Sequence, residues 1–306
     1  MNEERIGHKS VLLDEVIKLI NPKSNEIYFD TTFGDGGYAK KILDACDCKV
    51  IAIDRDPNVK ERAKEYEKKY GERFIFFNAR FSQINEVMEK AKEEKINGFV
   101  FDIGVSSMQL DNANRGFSFM KDGPLDMRMS SRGLTASSVV NSKSVNELAD
   151  IIYHYGDERN SRKIAKNIDK FRKSKEINST LELANIVKQS FPNKYFKKHP
   201  ATKTFQALRM YVNSEIEELH QGVNLAVKHL KQYGKLCVVS FHSIEDRLVK
   251  NFMSIIEPNS NTKKVIKPSK QEVEINPRAR SAKLRFTELN NSEYQFVSIN
   301  DLGFEY

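Results

Sequence analysis

Four short runs of β-branched and aromatic residues alternate with helix-forming stretches in the first third of this chain. No other feature limits the fold as much. The runs are 26–33, 49–54, 73–78 and 98–103, and the spacing predicts helices over about 37–46, 57–70 and 82–95 between them. Strand and helix in strict alternation argue for an α/β fold with a parallel, doubly wound sheet. In such sheets ligands sit beyond the carboxyl ends of the strands. The residues to watch are therefore those just after each strand: Asp35 to Tyr38, Asp54, Phe81 and Asp102.

The first strand runs directly into Gly34-Asp35-Gly36-Gly37, and a helix-forming stretch follows. Glycine suits a turn that needs positive φ and lets a ligand approach backbone without meeting a Cβ. The second strand ends in Asp54, where a carboxylate can accept hydrogen bonds from two ribose hydroxyls. A glycine turn alone is a weak signal. Strand, turn, helix, strand and acid in register make it a nucleotide-site signal. The loop reads D-x-x-F-G-x-G-G and lacks the third glycine of the dinucleotide fingerprint. It resembles the first motif of S-adenosylmethionine (AdoMet) methyltransferases, whose ligand has no pyrophosphate.

Upstream, apolar residues at 12, 13, 16, 17 and 20 mark a helix ended by Asn21-Pro22. Downstream, the alternation stops over 108–205. A loop holding Phe117, Phe119, Met127 and Met129 comes first, too apolar for disorder. Capping patterns at Ser144 to Glu147 and Ser179 to Glu182 open two helices, with a third over 159–173 between them. Phe205, Leu208, Val212, Ile216, Leu219, Val223, Val227 and Leu230 then predict one long helix over 204–232, with the stripe as core. Tyr233-Gly234 stops it, 235–241 reads as a fifth strand, and 285–290 with 295–299 as an antiparallel pair. The expected organisation is a discontinuous domain, 1–107 with 206–306, interrupted by a mostly helical domain at 108–205.

At 306 residues, 39% hydrophobic and 30% charged, the chain is expected to fold as a soluble protein with two domains. It holds no apolar run of 18 residues, and its first ten residues do not resemble a secretory signal. Cys46, Cys48 and Cys237 are too few and too irregular for a disulfide framework, which points to reduced thiols in the cytoplasm. No His/Cys ligand set or acidic cluster points to a catalytic metal. Net charge is +8, yet 159–209 alone holds 14 Lys and Arg against 3 Asp and Glu, so the remainder of the chain is slightly acidic. A second basic cluster, at 263–285, has 8 basic and 2 acidic residues. A solvated lysine face would explain both clusters. Interleaved Phe171, Phe191, Tyr195 and Phe196 favour nucleic acid, whose backbone needs cations and whose unstacked bases need flat faces.

With these residues laid out, the chain resembles the RsmH/MraW family of bacterial 16S ribosomal RNA cytosine N4-methyltransferases along nearly its whole length. The matching blocks are DTTFGDGGY at 30–38, DIGVSSMQLD at 102–111, RGFSF at 115–119, DGPLDMRM at 122–129, YGDERNSRKIA at 155–165, HPATKTFQALR at 199–209, SFHSIEDR at 240–247 and NPRARSAKLR at 276–285. The departures are Tyr38, where the family often has His, and Ser10 and Met108, where it often has Pro. The resemblance implies a Rossmann-like class I AdoMet methyltransferase sheet with an inserted substrate-recognition domain. It implies a cytoplasmic enzyme acting on 16S rRNA of the small ribosomal subunit, and leaves a homodimer open. Gly36, Gly37 and Tyr38 would line the cofactor turn, Asp54 the ribose, Phe81 the adenine, and Asp102 and Gln109 the methionine end. Asp102 is also the candidate catalytic acceptor for the amino group, its rival role being to bind the AdoMet ammonium. Arg115, Arg128, Arg278 and Arg280 are the candidate RNA contacts. His242 could contact RNA, shuttle a proton or make a structural hydrogen bond, and Asp122 and Asp126 could be hinge, capping or substrate residues. The rival readings are a methyltransferase for protein or small molecules, a nicotinamide oxidoreductase, and a noncatalytic RNA-binding module.

Overall fold

A computed structural model describes residues 10–191, 199–258, 264–290 and 294–304. Its contacts divide the chain into two compact units, 1–104 with 216–306 and 105–215. In chain order the first unit opens with α1 (Leu13–Ile20), β1 (Ile27–Asp30), α2 (Gly37–Ala45), β2 (Lys49–Ile53), α3 (Lys60–Tyr70), β3 (Phe74–Phe77), α4 (Ile84–Ala91) and β4 (Ile96–Asp102). The second unit contributes α5 (Ser107–Asp111), α6 (Ala136–Ser142), α7 (Val145–Gly156), α8 (Ser161–Arg172), α9 (Thr180–Gln189) and α10 (Thr202–Asn213). The first unit then resumes with α11 (Glu215–His229), β5 (Leu230–Ser240), α12 (Ser243–Ile256), α13 (Lys270–Ile275) and β6 (Lys283–Glu288).

The first unit is a six-stranded sheet in the order β3-β2-β1-β4-β5-β6. The pairs β3/β2, β2/β1, β1/β4 and β4/β5 are parallel, and only β6 runs against its neighbour. Strand order reverses between β1 and β4, which makes their carboxyl ends the place where a ligand crevice opens. Phe29 and Phe99, fully buried on paired strands, stack at 5.0 Å and hold this centre together. On one side of the sheet α1 and α2 pack Val16, Ile20, Ile42 and Leu43 into a single core cluster with Val50, Val100 and Val239.

The expected long helix is two. Ser214 adopts φ 48, a left-handed conformation that cannot continue a helix, so α10 ends at Asn213 and α11 starts at Glu215. The apolar stripe still does what its spacing predicts, since Phe205, Leu208, Ile216, Leu219, Val223, Val227 and Leu230 are buried. The expected stop at Tyr233-Gly234 is instead an irregularity inside β5, with Tyr233 at φ 60. The change of unit at 215/216 lies ten residues beyond the expected 205/206, because α10 packs on α7 and α6. Residues 295–299 form no strand: the Val297 backbone is caught by the Asn224 side chain and His220, which satisfy it as a sheet partner would. The helix α12 carried no expectation from sequence.

Asp246 on α12 joins Arg285 at 2.6 Å and Lys283 at 2.7 Å on β6. Burial pushes its carboxyl up, and the two cations more than reverse this, holding it below the ordinary range. Removing one member of a buried pair strands the other. Asp246→Ala should therefore cost about 3–5 kcal/mol in urea unfolding, and a loss within that of an ordinary surface substitution would refute the clamp.

The second unit packs α7 against α8 and α10, and α8 against α9. Ser144 and Ser179 cap α7 and α9 as their sequences predict. The apolar loop before α6 is anchored by buried Phe117, Leu125, Met127 and Met129. Asn213 ties it down, donating to the Met127 carbonyl and accepting the Met129 amide. Among the described residues no helix is long and apolar enough to cross a membrane, and the three cysteines are free thiols.

Candidate active site

Three carboxylic acids end three neighbouring strands: Asp54 just after β2, Asp30 at the end of β1 and Asp102 at the end of β4. Asp30 is fully buried and accepts the amides of Thr32 (3.1 Å) and Ala39 (3.2 Å). It thereby fastens the strand to the first turn of α2, where exposed N–H groups favour an anion. Burial nevertheless pushes its carboxyl up to about 7, with Asp54 adding repulsion against those two hydrogen bonds.

Asp54 accepts the Gly34 amide on Oδ2 and the Asp56 amide on Oδ1, both at 2.8 Å. The acid after the second strand thus sets the shape of the glycine turn after the first. Each carboxylate oxygen has a second lone pair, which leaves acceptor capacity for a diol. Burial raises this group to about 6, opposed by the two amides.

Asp102 has the least support of the three. Its amide donates to Thr32 Oγ1 at 2.8 Å, but its Oδ1 is buried with no hydrogen-bond partner. Buried polar atoms are almost always paired, so an orphaned acceptor at a strand's carboxyl end reads as a ligand position. Burial first, and then repulsion from Asp30, pushes Asp102 up to about 8.

Phe81 follows β3 in a short 3-10 turn and sets its ring edge-on to Phe101, centroids 5.3 Å apart, keeping part of its surface exposed. That turn is sewn to the Asp54 backbone: Ala79 N–H and the Asn78 side chain both donate to the Asp54 carbonyl.

At Tyr38, Gly36 and Gly37 the close packing is with the protein's own groups. The Tyr38 ring is buried in the core and its hydroxyl donates to the Val11 carbonyl, so its side chain is a packing group. A Cβ on Gly36 would lie 2.5 Å from the Tyr66 ring, and one on Gly37 would lie 2.1 Å from Ser10 Oγ. The space that favours glycine here is occupied by the protein's own side chains. Gly36 also has φ +81, which only glycine adopts without strain.

His242 is the N-cap of α12. Its Nδ1 accepts the Glu245 amide at 3.4 Å, and Nε2 lies 3.0 Å from Glu245 Oε1. Of the roles left open, the structural hydrogen bond is the one seen. Arg278 and Arg280 lie exposed on the turn Pro277–Ser281.

Within the second unit, Gln109 is buried and closes the capping box of α5, its Oε1 accepting the Ser106 amide at 3.1 Å. Arg115 donates to the carbonyls of Arg128 and Met129, both at 3.0 Å, and Arg128 grips Asp126 through Nε (2.9 Å) and Nη2 (2.7 Å). Asp122 accepts the Leu181 amide at the start of α9. These four side chains brace their own loop, which is capping and clamping rather than an open phosphate surface. Phe191 is buried, and Tyr195 and Phe196 lie outside the described residues.

The basic cluster sorts itself on α8. Ser161, Ile164, Ala165 and Ile168 are buried, while Arg162, Lys163, Lys166 and Lys170 are exposed on the opposite face. Arg172, Lys173 and Lys175 are spent on Asp169 and Glu182. The four stripe side chains enter no ion pair among the described residues. Sequence reasoning gave Asp30 no role of its own, although it is the first letter of the glycine-turn motif. It also did not separate these four cations from their neighbours. Their 162, 166, 170 spacing was the available signal.

A model of the MraW methylase family matches residues 5–290 of the chain. The chain is 51% identical over 300 residues to a ribosomal RNA small subunit methyltransferase H of Rickettsia conorii, covering 91% of this chain and 97% of that protein. It is 48% identical over 299 residues to the protein of the same name from Rickettsia akari, with the same coverage. Among solved structures, an rRNA methylase from Streptococcus thermophilus superposes with a TM-score of 0.41 at 10% identity, covering 91% of this chain and 94% of that one.

Proposed function

The chain belongs to the MraW methylase family, and from that premise we propose that it is an AdoMet-dependent methyltransferase acting on the N4 amine of a cytosine in 16S rRNA of the small ribosomal subunit. The observation that carries this reading is the row of acids at the ends of β2, β1 and β4, with Asp102 Oδ1 buried and unpartnered. A site that holds so many carboxyls out of water is built for positive charge. The residues fit the cofactor: Asp54 keeps lone pairs for the ribose hydroxyls, Phe81 offers a flat face, and Asp102 faces the cationic methionine end.

When bound, the cofactor supplies a methyl group on a sulfonium. Everything else falls to this chain. Transfer to nitrogen needs donor and acceptor held close and in line, so positioning is the protein's main contribution. The cytosine amino lone pair is delocalised into its ring, and an acceptor on its N–H frees it. The carbonyls of Ile103 and Gly104, just past β4, are the proposed acceptors, with Asp102 assigned to the ammonium. The cytosine must first be single-stranded or turned out of its stack. The second unit, which carries the α8 stripe, is the proposed RNA surface, with Arg278 and Arg280 as further contacts. Because the substrate is a ribosomal subunit, the place of action is the cytoplasm. Sedimentation equilibrium tests for a homodimer.

The deciding experiment maps modified nucleotides by mass spectrometry in 16S rRNA from a deletion strain, with and without this chain restored. One cytosine should lose and regain a methyl group. An unchanged map, or methyl transfer to protein alone, would overturn the proposal.

A further inference from the structure

Resting on the AdoMet reading above, we infer that Glu218 and Gly222 of α11 are positioning residues for the cofactor's adenine, acting through Phe81. They lie four residues apart, hence on one face of the helix, and both address the turn that carries Phe81. Glu218 is nearly buried. Its Oε2 accepts the Ser82 amide at 3.0 Å, its Oε1 accepts the Ser82 hydroxyl at 3.1 Å, and Arg80 Nη1 stands 3.7 Å from the same oxygen. One carboxylate thus grips the residues on both sides of Phe81. One turn further along, Gly222 lets the ring in. A Cβ there would stand 2.6 Å from Phe81 Cβ and 3.2 Å from both Phe81 Cγ and Phe101 Cε1.

Glycine inside a helix costs about 1 kcal/mol relative to alanine. Its place in the middle of α11 needs a packing reason, and Phe81 is that reason. The turn's other side is closed by its own capping box, Gln83 Oε1 accepting the Arg80 amide at 3.1 Å. Phe81 is therefore held from below by α11, from the side by Phe101, and through Ala79 and Asn78 by the Asp54 backbone. The proposed adenine wall and the proposed ribose acid form one connected piece, and α11 fixes its height. A carboxylate suits the grip because two oxygens take an amide and a hydroxyl at once, while its charge is balanced by Arg80.

The test is calorimetric binding of S-adenosylhomocysteine to the full chain and to Glu218→Ala, Glu218→Gln, Gly222→Ala and Phe81→Ala, with thermal unfolding of each. Gly222→Ala and Glu218→Ala should bind about 10-fold more weakly, with Glu218→Gln in between because it keeps one acceptor oxygen. Thermal unfolding reports whether each variant is folded: in Gly222→Ala the gain in helix propensity is offset by the 2.6 Å overlap with Phe81 Cβ, which must move the turn. Combined with Phe81→Ala, neither change should weaken binding further, and in turnover the loss should fall on KM for AdoMet more than on kcat. Binding equal to the wild type in both alanine variants, or effects fully additive with Phe81→Ala, would overturn the inference. If Gly222→Ala does not fold, the Glu218 pair and its combination with Phe81→Ala decide alone. Failure of the wild type to bind would instead bring down the cofactor reading on which this rests.

Discussion

Asp102→Asn should bind AdoMet about 10–100-fold more weakly than the wild type, the range expected when a hydrogen bond to a charged group is lost. The wild-type affinity should also climb with pH and level off near pH 8. The carboxyl is raised to about 8 by burial and by Asp30, so below that pH it carries a proton that a cationic ligand must displace. Calorimetry between pH 6 and 9, in buffers of different ionisation enthalpy, should record proton release in the wild type and none attributable to this group in the variant. The same substitution should stabilise the protein in alkali. An acid whose folded pKa lies above its unfolded value binds its proton more tightly when folded. Stability therefore falls as pH rises from about 4 to about 8, and asparagine escapes that loss. Each kcal/mol recovered raises Tm by about 2–4 °C in a chain of this size. If Asp102→Asn kept full AdoMet affinity and lost only methyl transfer, Asp102 would be the acceptor for the cytosine amine, and the assignment made above would be wrong.

Replacing Arg162, Lys163, Lys166 and Lys170 together by glutamine should cost about 100-fold or more in affinity for small-subunit RNA near physiological salt. It should also flatten the slope of log affinity against log salt by about 3, since each phosphate contact contributes about 0.7 for single strands. The stripe is suited to this because α8 buries one face completely and leaves these four cations on the other. Successive members 162, 166 and 170 stand about 6 Å apart along the axis. Replacing Arg172, Lys173 and Lys175 is the control. Those cations are paired with Asp169 and Glu182, and their loss should touch stability before it touches RNA. AdoMet affinity should not change in either set. An unchanged salt slope in the stripe variant would remove α8 from the RNA surface.

Both predictions show where sequence reading stops. The alternation of strands and helices, the glycine turn and the acids at 54 and 102 are written locally, as periodicity and as residue types at strand ends. All are found where the spacing placed them. The two Ser caps of α7 and α9 are equally local. The helix break at Ser214 was not legible, because nothing in its neighbours forbids a helix. Its left-handed backbone is seen only in the structure, where the Ser214 amide closes α10 on the Met210 and Tyr211 carbonyls. The segment at 295–299 looked like a strand because its alternation is real, but its partner is the Asn224 side chain instead of another strand.

Side chains at the sites divide along the same line. Arg115, Arg128, Tyr38 and His242 have the chemistry expected of contacts, and each is already committed to a partner within its own unit. Residue type announces what a group can do. Whether it is still available depends on hydrogen-bond partners that in two of these cases lie 13 or 27 residues away. Sequence alone determined the parallel sheet, the acids along its edge and the basic character of the insert, because backbone propensity and charge are properties of short stretches. Only the tertiary structure decided which carboxyl stands unpartnered, which cations are unspent, and that a glutamate and a glycine on α11 hold Phe81, because those are facts about space shared by residues far apart in the chain.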